Sequence, residues 1–157
     1  MLTQLPVAAV GAGIARHALD AFAALAAKKM VGADTPLAED PSVRSRYAES
    51  HARWLSVHLA LHALASRTWE AVVTGGSLTA HELAEIAASC TFFVSELECA
   101  AGSLARTAGM NAVLHDEEFA RAWRDLQTLA AHVSVSALQL ARAGKILLAP
   151  AAAGEPE

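Results

Sequence analysis

Residues 116–148 read DEEFARAWRDLQTLAAHVSVSALQLARAGKILL, and their periodicity decides the fold. Apolar positions at Phe119, Trp123, Leu126, Ala130, Val133, Ala137, Leu140, Gly144 and Leu147 recur at steps of three and four. Such steps stay on one side of a helix, so the stretch predicts one long amphipathic helix with a single buried seam. Beside the seam runs a polar line: Asp125, Thr128, His132, Ser136 and Gln139. Polar side chains at helical steps in an Ala- and Leu-rich segment predict a wet groove or a subunit contact flanking the core. By spacing alone, His132 is a flank histidine hydrogen-bonded to Thr128 or Ser136. Arg124, next to the line, is a residue that forks onto a carboxylate or helix end of a neighbouring helix.

Three further helices precede this one. The first spans about Thr3 to Lys29, with Pro6 in its opening turn, Val7, Val10, Ile14, Ala18, Ala21 and Leu25 facing one way, and Lys28-Lys29 at the negative end of the dipole. A loop from Val31 to Glu39 follows, and Asp40-Pro41 then caps a second helix that runs to Thr74-Gly75-Gly76. Thr79 and Glu82 have the spacing of a capping box, which starts a third helix that stops at Gly109. No segment alternates as a strand does. Long helices joined by short loops pack most simply as an all-α, antiparallel, up-down-up-down four-helix bundle over residues 1–149. Residues 150–157 are small and polar, and are expected to be a disordered tail.

At 157 residues the chain is one domain by length, and with 54% hydrophobic and only 18% charged residues it holds more apolar surface than one small bundle hides. Self-association or a partner is expected. The net charge of -4 comes without a basic stripe, which excludes nucleic acid and an anionic membrane surface. No run reaches the roughly 20 apolar residues of a bilayer span, and the N-terminus lacks the basic start of a secretory signal. Cys90 and Cys99 share one helix about 13 Å apart, too far for a mutual disulfide, which suits a cytoplasmic protein with buried thiols. Trp54, Trp69 and Trp123 read as core or interface anchors, and Arg16 and His17 as surface or subunit-contact groups. His51, His58 and His62 share a face, but no carboxylate or thiolate is placed to converge on them, so no metal is expected.

Gly13-Ile14-Ala15-Arg16-His17-Ala18-Leu19-Asp20, Pro36-Leu37-Ala38-Glu39-Asp40-Pro41-Ser42-Val43, and Phe119-Ala120-Arg121-Ala122-Trp123-Arg124-Asp125-Leu126 with His132, taken in this order, resemble the C-terminal helical domain of the acyl-CoA dehydrogenase superfamily. The resemblance covers about residues 3–148 and is nearest to the flavin-dependent monooxygenase-like branch. Two departures favour that branch over the dehydrogenases. The position of the α-proton-removing carboxylate, eight residues after the Arg-Asp pair, holds Val133, and Lys28-Lys29-Met30-Val31 replaces a flavin-contacting Arg-Thr-Phe-Gly-type stretch.

The resemblance implies that His132 is the catalytic residue, lying near the reactive edge of a reduced flavin as a hydrogen-bond donor or as acceptor of a phenolic proton. Beside it, Arg124, Asp125, Thr128, Ser136 and Gln139 are the groove or interface candidates that the helical spacing offers. Full-length members carry an N-terminal helical domain and a middle β-domain, whereas this sequence starts directly at the bundle. FAD or FMN is therefore expected only in complex with a partner chain that brings those domains, with none on the isolated chain, and with a small aromatic or acyl substrate. The alternative is a non-enzymatic helical assembly or small-ligand-binding module derived from the same family.

Overall fold

A computed structural model describes residues 3–31 and 34–149. Helix α1 covers Gln4–Lys28, α2 Pro41–Val73, α3 Ala80–Ala108, α4 Glu118–Ala130 and α5 Ala137–Leu147. Between α1 and α2, β1 (Met30–Val31) pairs antiparallel with β2 (Thr35–Pro36), followed by a 3-10 turn at Leu37–Glu39. This two-stranded clip corrects the expectation of a plain loop there. The all-α expectation holds, with five helices where four were expected. The expected tail, 150–157, lies outside the described residues.

The caps form as the sequence predicts. Asp40 accepts from the Ser42 backbone N–H at 2.7 Å, and the Ser42 hydroxyl, donating to the same oxygen, and this N–H together hold its carboxyl below the usual range. Glu82 accepts from the Thr79 N–H at 2.7 Å while the Thr79 hydroxyl accepts from the Glu82 N–H at 3.2 Å. Gly109, at φ 59, ends α3 in a conformation side chains resist, and Lys29 donates to the Ala108 carbonyl at 2.7 Å, placing a cation at the negative end of the dipole.

Cross-contacts give the direction of each helix. Trp54 donates from Nε1 to the Ala12 carbonyl and Tyr47 stacks on Phe22, so α2 runs antiparallel to α1. Ser50 donates to the Ala100 carbonyl and Arg67 pairs with Glu85, so α3 runs antiparallel to α2. Phe119 meets Phe22 edge-on at 5.5 Å, and the Thr3 and Ser134 hydroxyls lie 3.3 Å apart, so the fourth leg returns antiparallel to α1.

That leg is the main correction. The single helix expected over 116–148 breaks at Ala131–Ser136, where a 3-10 turn at Val133–Val135 separates α4 from α5. The cause is local competition for the backbone: His132 takes the Ser134 N–H through Nδ1, while the Ser136 hydroxyl and the Gln139 amide both donate to the Val133 carbonyl. β-branched Val133 and Val135 weaken helix there further. Up to Leu126 the expected seam is right, but past the break Val135 and Ala143 are buried while Val133 and Leu140 are exposed. Capping chemistry overrode a periodicity that continues, by coincidence of spacing, through both pieces.

The core joins Phe22, Ile86, Val94, Leu97, Leu104, Phe119 and Leu126. On α1 it is Ala8, Gly11, Ala12, Ala15 and Ala18 that face inward. The larger Val7, Val10 and Ile14, expected inside, stand at the rim because small residues permit closer helix approach. A Cβ at Gly11 would sit 3.2 Å from Leu129 Cδ2. By length and composition α1 is apolar enough to cross a membrane, against the sequence expectation, but nearly half of that window is buried within the bundle.

Trp54 and Trp123 are half-buried, whereas Trp69 is 67% exposed. Cys90 is buried, but Cys99 is exposed, a correction to the pair read as buried thiols. Arg16 pairs with Asp20 and lies 5.1 Å over the Trp54 ring, and His17 Nε2 lies 3.4 Å from Glu118.

Candidate functional site

A groove of about 400 Å³ runs between the N-terminal half of α1 and the end of α4. Pro6, Val7, Val10 and Ile14 form its apolar wall; Asp125, Thr128, Leu129 and His132 form the other. The structure thus gathers three members of the polar line. The other two are not in it: Ser136 and Gln139 are engaged with the Val133 carbonyl at 3.1 and 2.9 Å. Arg124 donates to the His115 carbonyl at 3.4 Å, an exposed tie to the segment before α4, not a fork onto a neighbouring helix. Thr128 bonds the Arg124 carbonyl one turn back at 2.9 Å, which fixes its hydroxyl proton and leaves its oxygen free to accept.

His132 owes its place to the break. Ala131 and His132 follow the last turn of α4, with His132 N–H bonded to the Leu129 carbonyl at 2.9 Å, and then the backbone turns extended at φ -67, ψ 136. The partner of the imidazole is the Ser134 backbone N–H, 3.2 Å from Nδ1, in place of Thr128 or Ser136. An Nδ1 that accepts carries no proton, so the neutral ring holds its proton on Nε2. The exposed ring therefore presents an N–H donor at the groove's end.

Sequence reasoning missed the α1 wall. The signal was present in Val7, Val10 and Ile14, at steps of three and four, but was read as core because α1 packs through alanines instead. The groove has no Lys or Arg on its walls. Its lining is apolar apart from Asp125, Thr128 and His132. Among the described residues, no three His, Cys, Asp or Glu side chains gather to hold a metal.

A family profile described as "Acyl-CoA dehydrogenase, C-terminal domain" matches residues 5–137. The chain belongs to that family. No curated protein matches it. Among solved structures, XiaF from Streptomyces sp., in complex with FADH2 and glycerol, superposes with a TM-score of 0.80 at 17% identity over 92% of this chain and 36% of its own. Dibenzothiophene monooxygenase (TdsC) from Paenibacillus sp. A11-2 gives a TM-score of 0.77 at 24% identity, over 93% of this chain and 38% of that one. The HsaA monooxygenase from M. tuberculosis gives 0.74 at 19%, over 92% and 36%. At these identities the acyl-CoA dehydrogenase C-terminal-domain likeness is one of fold, and this chain spans little more than a third of each of those proteins.

Proposed function

We propose that this chain is the helical, C-terminal-domain-like subunit of a flavin-dependent, monooxygenase-like oxidoreductase of the cytoplasm. The remaining domains, which we assign to a separate chain, complete the flavin and substrate site. The observation that carries the reading is His132 at the end of an apolar groove, its Nδ1 committed to Ser134 and its Nε2–H free.

A bound FAD or FMN would supply the oxygen chemistry, and the protein's part is positioning and exclusion of water. The apolar wall of Val7, Val10 and Ile14 suits a small aromatic or acyl group, and Thr128 offers an acceptor beside it. The fixed tautomer favours the donor role for His132 over that of proton acceptor: a donor aimed at an oxygen that gains negative charge stabilises it without reorganisation. The absence of cations from the groove supports a partner for the cofactor's phosphate.

The test is to purify the chain alone and with the partner that carries the flavin-binding domains. The chain alone should be colourless, and the complex yellow at one flavin per chain. A stoichiometrically yellow isolated chain overturns the split site. The second reading, a non-enzymatic assembly module, is favoured by the exposed apolar side chains Leu55, Leu59, Trp69 and Val73 on α2.

A further inference from the structure

Toward its C-terminal end α1 borders a second, smaller pocket. Ala23 and Ala26 from α1, Ala38 from the 3-10 turn, and Val43 and Tyr47 from α2 enclose about 190 Å³ with Arg44 at the mouth. The space is there because two alanines stand where larger side chains would fill it. Beneath it, buried Phe22 and the Tyr47 ring lie 6.2 Å apart and 17° from parallel, so one wall is held by packed aromatics. An apolar void of ~150 Å³ takes a benzene ring. This pocket therefore matches a single ring or a short branched acyl group, with its polar end at the mouth.

Arg44 is placed to meet that polar end. Its Nε–H donates to the Ala38 carbonyl at 2.9 Å, and Ala38 is itself on the pocket wall, so the guanidinium is tethered at the mouth. Arg16, Arg53 and Arg67 each turn their forks onto a carboxylate of this chain. Among the described residues the Arg44 fork has no carboxylate, and its side-chain bond goes to a carbonyl through Nε alone. The two terminal amino groups are left as parallel N–H donors, the arrangement that grips a carboxylate at both oxygens. The tether removes side-chain freedom that a ligand would otherwise have to freeze. Arg44 is also the one charged residue among those lining the pocket, so the walls match a single negative charge.

We infer that this pocket binds a small monocarboxylate whose apolar body is about one ring in size, the ring against Ala23, Ala26 and Tyr47 and the carboxylate on the Arg44 fork. The site is separate from the His132 groove and does not rest on the flavin reading. Phe22 lies eight residues beyond Ile14, the nearest α1 residue of that groove, roughly 12 Å along the helix.

The probe is sodium benzoate, titrated at neutral pH into the full 157-residue chain and read by methyl carbon-13 spectra. Saturable shifts are expected at the Ala23, Ala26, Ala38 and Val43 methyls, with Val7 and Val10 of the groove unmoved. Benzyl alcohol, the same ring without the charge, should bind at least about tenfold more weakly, and acetate, the charge without the ring, should give no saturable shift. Arg44→Gln should weaken benzoate by about tenfold, the scale of a lost charged hydrogen-bond pair, and erase the preference over benzyl alcohol. Ala23→Leu fills the pocket from an exposed position on α1 and should abolish saturable binding with helicity unchanged by circular dichroism. No saturable shift, shifts centred on the His132 groove, or equal affinity for benzoate and benzyl alcohol would each overturn the inference. So would full benzoate affinity in Arg44→Gln, and so would binding that survives Ala23→Leu, a variant that leaves the Arg44 tether intact.

Discussion

The Ser134 backbone N–H donates to His132 Nδ1 at 3.2 Å, across the turn that separates α4 from α5. One bond thus links the break in the helix to the protonation pattern of the only histidine on the groove wall. It predicts that neutral His132 carries its proton on Nε2. Nitrogen-15 chemical shifts of the His132 ring above neutral pH check this directly. A ring protonated on Nδ1 would break the link between the turn and the donor role.

The reciprocal cap at Thr79 and Glu82 carries a stability prediction. Thr79→Ala should cost about 1 kcal/mol, the usual value of a lost N-cap, as read by denaturant unfolding. The backbone and hydroxyl hydrogen bonds from Thr79 hold the Glu82 carboxyl below its ordinary range, and those from Ser42 do the same for Asp40. A depressed carboxylate stabilises the fold above its unfolded pKa, and that contribution is lost as pH falls through the folded value. Stability should therefore decline below about pH 4, the ordinary carboxylate region, and less so in Glu82→Gln than in the unmodified chain. An identical acid profile for the two would remove Glu82 from the account.

Much of the fold was legible in the sequence because caps and breakers act locally. Asp40-Pro41, the Thr79 box and Gly109 each mark a helix end within a residue of where it lies. The break at Ala131–Ser136 was not legible from periodicity, since the apolar steps continue across it. Its signal was the density of backbone-competing side chains: His132, Ser134 and Ser136 within five residues. Asp125, Thr128 and His132 share the groove because all three sit on α4 or its end, where helical spacing still applies. Ser136 and Gln139 lie beyond the same break, and the α1 wall was taken for core because the packing distance set by Gly11 and the alanines is a tertiary property.

The two cysteines should differ in reactivity. Burial pushes the Cys90 thiol up to about 12, and Cys99 is exposed beside Trp123 and Gly102 on the outer side of α3. The thiolate is the nucleophile, so a thiol reagent at pH 8 should label Cys99 and leave Cys90 untouched in the folded chain. Mass spectrometry of digested, labelled protein reads the outcome; equal labelling would contradict the burial of Cys90.

The central claim is that His132 acts at a site this chain helps to complete. The most direct measurement is product formation by the complex with the flavin-bearing partner, comparing unmodified chain with His132→Ala at equal folded concentration. His132 is exposed and its one bond is to a backbone N–H, so the substitution should cost about 1 kcal/mol of stability or less. Turnover should fall by about a hundredfold, the scale of a lost positioned proton-transfer or hydrogen-bonding group. Equal turnover in the two complexes would contradict the account and leave the chain an assembly module.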